Sequence, residues 1–480
     1  MFSEVVLSCS NTDSTSYVWD IRSGTVVFSL KQNMVPKNGV ARAPLPWAPS
    51  RTGLVLSAQT DKAVINSYCW QKDQVHAKSL CPEKIITVAV SHQGVYCAGG
   101  TQSGKIYLWE IATGVLYRSF DAHYKRISAL RFTDDDTALV SASDDASVNV
   151  WLLTKLLDEQ EDITIAPSPY YSWSDHSLPV TDIVCGTGTF GSARIWTSSL
   201  DHTVKLWDLA TGSLLTTFLF PHPVDTLAVD VSETILLAAG RHDIYQVNLY
   251  KRVEERSYAA TSIESMGGMG KVESVGLESS ASAKVFRGHT DTINSLSLSF
   301  DGSLLVSGSQ DGECIVWDVS SRQSLRKFTQ HKGPVTSVSC FIKPPELTGA
   351  FIGQQRSSEP VMPITPFKRA RRTEDEEREH GLSMIIPDTS RDLLLLDGKL
   401  DGRSTQYVAP ETLNVHDAKE FVQQVQTQDS STSLRTQINK LQAELVRVHE
   451  HYAKVKTLHN EMYINLVDQF MVQRRQEEGN

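Results

Sequence analysis

The sequence predicts an all-β protein: a seven-bladed β-propeller followed by a linker and a C-terminal α-helix. Three observations carry this. First, short strand-like runs end at Trp19, Trp70, Trp109, Trp151, Trp207, Val247 and Trp317, at spacings of 51, 39, 42, 56, 40 and 70 residues. A repeat of about 40 residues with such an ending marks propeller blades. Second, an Asp stands six residues before the Trp in four units: Asp13/Trp19, Asp145/Trp151, Asp201/Trp207 and Asp311/Trp317. Third, the apolar periodicity changes near the C-terminus from two to alternating steps of three and four.

The clearest unit is Ser198–Phe218. Val204 and Leu206 alternate with Thr203 and Lys205, the pattern of a half-buried strand, and Thr211-Gly212 signals a tight turn. Upstream His123, His176 and His289 accompany three of the Asp/Trp pairs. A His, a Ser or Thr, the Asp and the Trp can satisfy one another when buried, and buried polar groups need such partners. In the last unit the set is His289, Ser307, Asp311 and Trp317. Val247 marks a degenerate unit that keeps the strand Ile244–Tyr250 and loses the Trp. The first unit lacks its innermost strand, which reappears after the seventh as His331–Phe341. Residues 334–341 are therefore expected to pair beside 3–10 and close the ring, with His331 serving Asp13 and Trp19. Closure removes open sheet edges.

The propeller is assigned to residues 1–342, with insertions at 154–175, acidic and Pro-rich, and at 251–283, which reads as a mobile loop. Residues 343–430 have linker composition and are expected to be mostly disordered. They hold the basic run Lys368, Arg369, Arg371 and Arg372, which fits a nuclear import signal, and an apolar island at Leu393–Leu396. Residues 431–478 read as a coiled-coil helix. With Ile438 at heptad position a, the seam is Leu434, Ile438, Leu441, Leu445, Val448, Tyr452, Val455, His459, Met462 and Leu466. Such a narrow seam seeks another helix, and a homodimer is expected.

Composition and motifs exclude several functions. Net charge is −10, so general attraction to nucleic acid is not expected, and direct RNA contact is left undecided. The N-terminal residues have no basic and apolar leader, and no apolar run reaches the length of a membrane span. The seven cysteines are scattered without a CxxC pair, and neither a metal nor a cofactor is expected. Gly99–Lys105 has phosphate-loop spacing, but Ile106 replaces the required Ser or Thr and a strand follows instead of a helix. Asp134-Asp135-Asp136 lacks calcium-loop spacing. The recurring Ser, His and Asp come with a Trp each time and without a nucleophile elbow, so no catalytic set is assigned and the chain reads as non-enzymatic.

These repeats resemble the WD-repeat proteins over roughly residues 3–341. A closer resemblance lies in Ile106–Gly114 with His123-Tyr124, in Trp173-Ser-Asp-His-Ser-Leu-Pro-Val-Thr-Asp-Ile183 leading into Thr197–Trp207, and in Lys284–His289. With the order propeller, linker, helix, these segments look like the WD-repeat subunit of the Rix-type complex that remodels large-subunit pre-ribosomes. The resemblance implies a non-catalytic scaffold of nucleolus and nucleoplasm, partnered with the other Rix-type subunits, the AAA ATPase midasin and the pre-ribosomal particle. It also implies a part in processing the internal transcribed spacer of the ribosomal RNA, and a secondary role in replication licensing. A rival reading, a substrate receptor of a cullin ubiquitin ligase, rests on Trp19-Asp-Ile-Arg22, which fits the WDxR pattern in a single unit.

Overall fold

The computed structural model describes residues 3–45, 48–158, 167–254, 261–265, 268, 270–275, 284–344, 347 and 364–370. The chain divides into units 1–387 and 388–480, and the second, with the heptad tail, lies wholly outside the described residues, as does Leu393–Leu396.

Seven sheets, each with four antiparallel strands and one with a fifth added, form the blades of a propeller: blade 1 from 335–342 and 4–31, blade 2 from 40–80, blade 3 from 85–121, blade 4 from 127–173, blade 5 from 180–219, blade 6 from 226–248 with 284–287, and blade 7 from 293–328. Blade 5 shows why the sequence folds this way. Strand Arg194–Ser199 pairs with Thr203–Asp208, placing Ile195 opposite Trp207 and Thr197 opposite Lys205. Alternate residues then face opposite sides of the sheet: Ile195 packs toward blade 4 and Trp196 toward blade 6. The turn after Asp208 needs a positive φ, which Gly212 supplies at 70°. A Cβ there would stand 2.5 Å from the Tyr171 ring.

The core is accordingly distributed. Each of seven apolar clusters fills the seam between two neighbouring blades, so no blade buries its faces alone. Each fully buried Leu, Ile or Phe contributes about 1.5–3 kcal/mol relative to exposure. Blade 1 is completed from the far end of the chain. Strand Val335–Ile342 pairs antiparallel with Glu4–Ser10, with Val6 opposite Cys340 and Ser8 opposite Val338.

The structure differs from the sequence reading at four places. In blade 2, Tyr68 pairs with Val55 at the register where other blades place their Trp, and Trp70 lies just past the strand Val64–Cys69, against Phe28 and Phe341. Part of the first insertion is a propeller element: Tyr171–Trp173 is the outermost strand of blade 4, after a helical turn at Leu153–Leu156. Trp173 stacks on Trp207 at 4.6 Å and donates to Gly212 O at 2.9 Å, which gives the strand its anchor.

The segment read as a mobile loop also contains ordered pairing. Tyr250–Glu254 pairs with Thr261–Ser265, and Lys271–Ser274 adds to blade 5 as a fifth strand, parallel to Leu214–Leu219. An exposed edge strand offers unpaired backbone groups, and this segment satisfies them. Finally, Ile364–Arg369, inside the expected disordered linker, is docked on the propeller. Its apolar Phe367 finds a pocket that composition does not reveal.

Candidate functional site

The polar sets singled out by the sequence are built between the strands of four blades. In blade 4, His123 Nδ1 lies 3.1 Å from Asp145 Oδ2 and its Nε2 lies 2.8 Å from Ser141 Oγ. Trp151 donates its indole N–H to the same Oγ at 2.9 Å. In blade 5, His176 stands 2.9 Å from both Asp201 and Thr197, and Trp207 donates to Thr197 at 3.0 Å. In blade 7, His289 lies 3.1 Å from Asp311 and 2.7 Å from Ser307, which accepts from Trp317 at 2.8 Å. In blade 1 the set spans the ring closure: His331 reaches Asp13 at 3.2 Å and Ser8 at 2.8 Å, and Trp19 donates to Ser8 at 2.8 Å.

The donors and acceptors assign the tautomer. A carboxylate only accepts, so His Nδ1 carries the proton and Nε2 accepts from the Ser or Thr hydroxyl. That hydroxyl oxygen in turn accepts from Trp. Each imidazole is thus a relay between indole and carboxylate. Burial depresses the His289 and His331 pKa values, opposed by hydrogen bonds to Asp311 and Asp13. For Asp145 and Asp201 burial pushes upward, but the bonds from His123 and Ser147, and from His176 and Thr203, hold both carboxyls well below the usual carboxylate range. The residue after each His donates its backbone N–H to the same carboxylate: Tyr124, Ser177, Thr290 and Lys332. Every member is satisfied inside its blade, the arrangement of a structural network and not of a nucleophile awaiting substrate.

Blade 3 departs from this pattern. Gly99 pairs with Tyr107 where blades 1, 4, 5 and 7 have Ser8, Ser141, Thr197 and Ser307, so Trp109 has no such hydroxyl to donate to. Its indole N–H donates instead to Lys368 O at 3.0 Å, 259 residues away. Phe367, only 4% exposed, stacks on Trp109 with ring centroids 5.3 Å apart and planes 8° from parallel. Phe367 N donates to Ser79 Oγ at 3.0 Å, and Lys368 N to Gly114 O at 2.7 Å. Gly114, with φ of 68°, sits where a Cβ would meet Pro366 O at 2.5 Å. The first two residues of the basic run are therefore engaged here, with Arg369 Nε donating to Leu80 O at 3.4 Å. Arg371 and Arg372 lie outside the described residues, as do the heptad residues Leu434 to Leu466. The sequence reading missed this groove. Its signals were Gly99 in the hydroxyl position and an isolated Pro-Phe pair in a charged linker.

The second feature missed is the central channel, of about 740 Å³, lined by the innermost strand of every blade. Asp182, 3% exposed, accepts from Thr226 Oγ1 at 2.8 Å in blade 6, and its Oδ1 lies 3.6 Å from Arg131 of blade 4. Thr181 donates to Val224 O at 2.7 Å. The Trp173–Ile183 segment thus supplies a stacked Trp, a relay His and two ties to the next blade. Lys37 reaches across to Asp225 O at 2.6 Å. Burial lowers its pKa, opposed by Asp182 and Asp225.

Little here resembles reactive chemistry. All seven cysteines are free, and burial pushes the thiols of Cys9, Cys81, Cys185 and Cys340 up to about 12, which suppresses the nucleophilic thiolate. Among the described residues no cluster of His, Cys, Asp and Glu could hold a metal ion. Gly99–Thr101 ends a strand, and Asp134–Asp136 forms a turn in which Asp136 accepts from His92 N and Gln93 N of blade 3.

Fold and polar relays together define a WD-repeat propeller, and the family model for the WD domain, G-beta repeat, matches residues 114–151 and 280–318. Curated relatives narrow this. The chain is 32% identical over 374 residues to WD repeat-containing protein 18 of Homo sapiens, covering 77% of this chain and 79% of that one. It is 31% identical to the pre-rRNA-processing protein crb3/ipi3 of Schizosaccharomyces pombe, over 67% of this chain and 73% of that one. With the pre-rRNA-processing protein IPI3 of Yarrowia lipolytica it shares 35% identity, over 67% and 71%. The chain belongs to this family of WD repeat-containing protein 18 and the Ipi3/Crb3 proteins.

Proposed function

We propose that this protein is a non-catalytic scaffold in ribosome biogenesis, a subunit of a Rix-type complex acting on large-subunit precursors. The observation that carries this is the similarity, over about two thirds of the chain, to relatives named as pre-rRNA-processing proteins. Self-satisfied relays, suppressed thiols and a rigid ring of seven seams support a binding platform over an enzyme. In this reading the protein works in the nucleolus and nucleoplasm, helps recruit midasin and supports processing of the internal transcribed spacer. The heptad tail joins two copies, and paired propellers raise the effective concentration of docked subunits without a strong single contact.

The test is depletion of the protein from its own cells, with pre-rRNA followed by hybridisation across the spacer. Spacer-containing precursors accumulate and midasin is lost from affinity-purified particles. Normal precursor ratios in fully depleted cells would overturn the reading.

A further inference from the structure

The docked segment carries a pattern that packing alone does not require. Thr365 is followed by Pro366, and Lys368 stands three positions after it. Thr365 and Pro366 are exposed, while Phe367 is buried. The Thr365 hydroxyl donates to Ala112 O at 3.2 Å, on the Glu110–Gly114 turn. Proline at the next position has no backbone N–H, which suits a kinase cleft that offers no acceptor there, and a cation two further on can pair with an anionic subsite.

The geometry points to Thr365 as the acceptor of a phosphoryl group from a proline-directed protein kinase that also reads a basic residue at the third position. The phosphate then releases residues 364–369 from the seam between blades 2 and 3. In the transfer, Thr365 Oγ1 bonds to the γ-phosphorus of ATP, the bond to the bridging oxygen breaks, ADP leaves and the hydroxyl proton passes to the kinase base.

Release follows from the chemistry of the contact. Before transfer the hydroxyl is a donor facing a carbonyl. Afterwards the group carries a charge of about −1.5 to −2 and presents acceptor oxygens. Acceptors then face Ala112 O, on a turn that also bears the Glu110 carboxylate, to which Thr113 Oγ1 donates. The kinase must extend residues around Thr365 in its own cleft, which buried Phe367 forbids. It therefore acts on the undocked fraction, and the phosphate shifts the population further that way.

Full-length protein is incubated with ATP and a purified cyclin-dependent-type kinase, the sites are mapped by mass spectrometry, and amide exchange is followed over residues 110–114 and 364–370. Phosphate is expected on Thr365, faster in Phe367→Ala than in the native chain and absent from that position in Thr365→Ala. Exchange at Phe367 and Lys368 rises about tenfold or more on phosphorylation, the size of change that one lost contact of this class produces. Absence of phosphate from Thr365 in both native and Phe367→Ala proteins overturns the proposal. Phosphate on Phe367→Ala alone overturns it too, since the native latch then never opens to the kinase. So does a phosphorylated protein whose exchange is unchanged.

Discussion

His331 Nδ1 lies 3.2 Å from Asp13 Oδ2, although 318 residues separate them in sequence. The same imidazole reaches Ser8 at 2.8 Å, so one side chain from the end of the repeats satisfies the polar groups of the first blade. The strands it joins, Glu4–Ser10 and Val335–Ile342, pair antiparallel and bring the two ends of the repeat array into one blade. Replacing His331 by Ala strands buried Ser8 and its neighbour Asp13, at a cost of about 1–3 kcal/mol. We expect amide exchange to accelerate in both closing strands, whereas His123→Ala loosens blade 4 alone. Equal effects of the two variants on residues 4–10 would show that His331 has no special part in closure.

Asp182 ties three blades at once, through Thr226 and the Leu227 N–H of blade 6 and through Arg131 of blade 4. Asp182→Ala leaves Arg131 beside the channel without its carboxylate and Thr226 without an acceptor. The expected loss is about 1–3 kcal/mol, read as a lower denaturation midpoint with an unchanged slope. A midpoint equal to that of the native protein would mean the contacts are replaced by solvent at no cost.

Acid should weaken the propeller through its relays. The His289 and His331 pKa values lie below the ordinary histidine value of about 6.5 because burial disfavours the charged ring. As pH falls through 6.5 the unfolded chain therefore binds protons that the folded chain refuses, and stability falls with it. This contribution is complete above pH 6.5 and drains away as pH approaches the folded values. The relay carboxylates Asp145, Asp201 and Asp311 act in the same direction further down, from about pH 4. His92, raised by its bond to Asp136, works the other way. Thermal midpoints at pH 7.5 and 5.0 should differ less in a His289→Gln, His331→Gln double variant than in the native protein. An equal or larger drop in the variant would contradict this account.

Deleting residues 431–480 tests the proposed pairing through the heptad tail. Native mass spectrometry is expected to give a dimer for the full chain and a monomer for the shortened one, with the propeller's melting unchanged. Dimers that persist after deletion would move self-association to the propeller.

The sequence by itself determined the propeller, because a seven-fold repeat of strand pattern is a local signal written in each unit. It also named His123, His176 and His289 with their Asp and Trp partners from spacing within a unit, and His331 from the strand that the first unit lacks and the end of the repeats supplies. What it could not give is where non-repeating segments attach. Lys271–Ser274 lies along blade 5 because Leu214–Leu219 presents an open edge, a property of the assembled sheet. Tyr171–Trp173 is held by the Trp207 face and the Gly212 carbonyl of the next blade. Phe367 docks because Gly99 leaves Trp109 without a hydroxyl and the seam between blades 2 and 3 has room for one more ring. Charge and Pro content make residues 364–370 look like linker. Only surfaces contributed by Ser79, Trp109 and Gly114, far away in sequence, give that segment a fixed place.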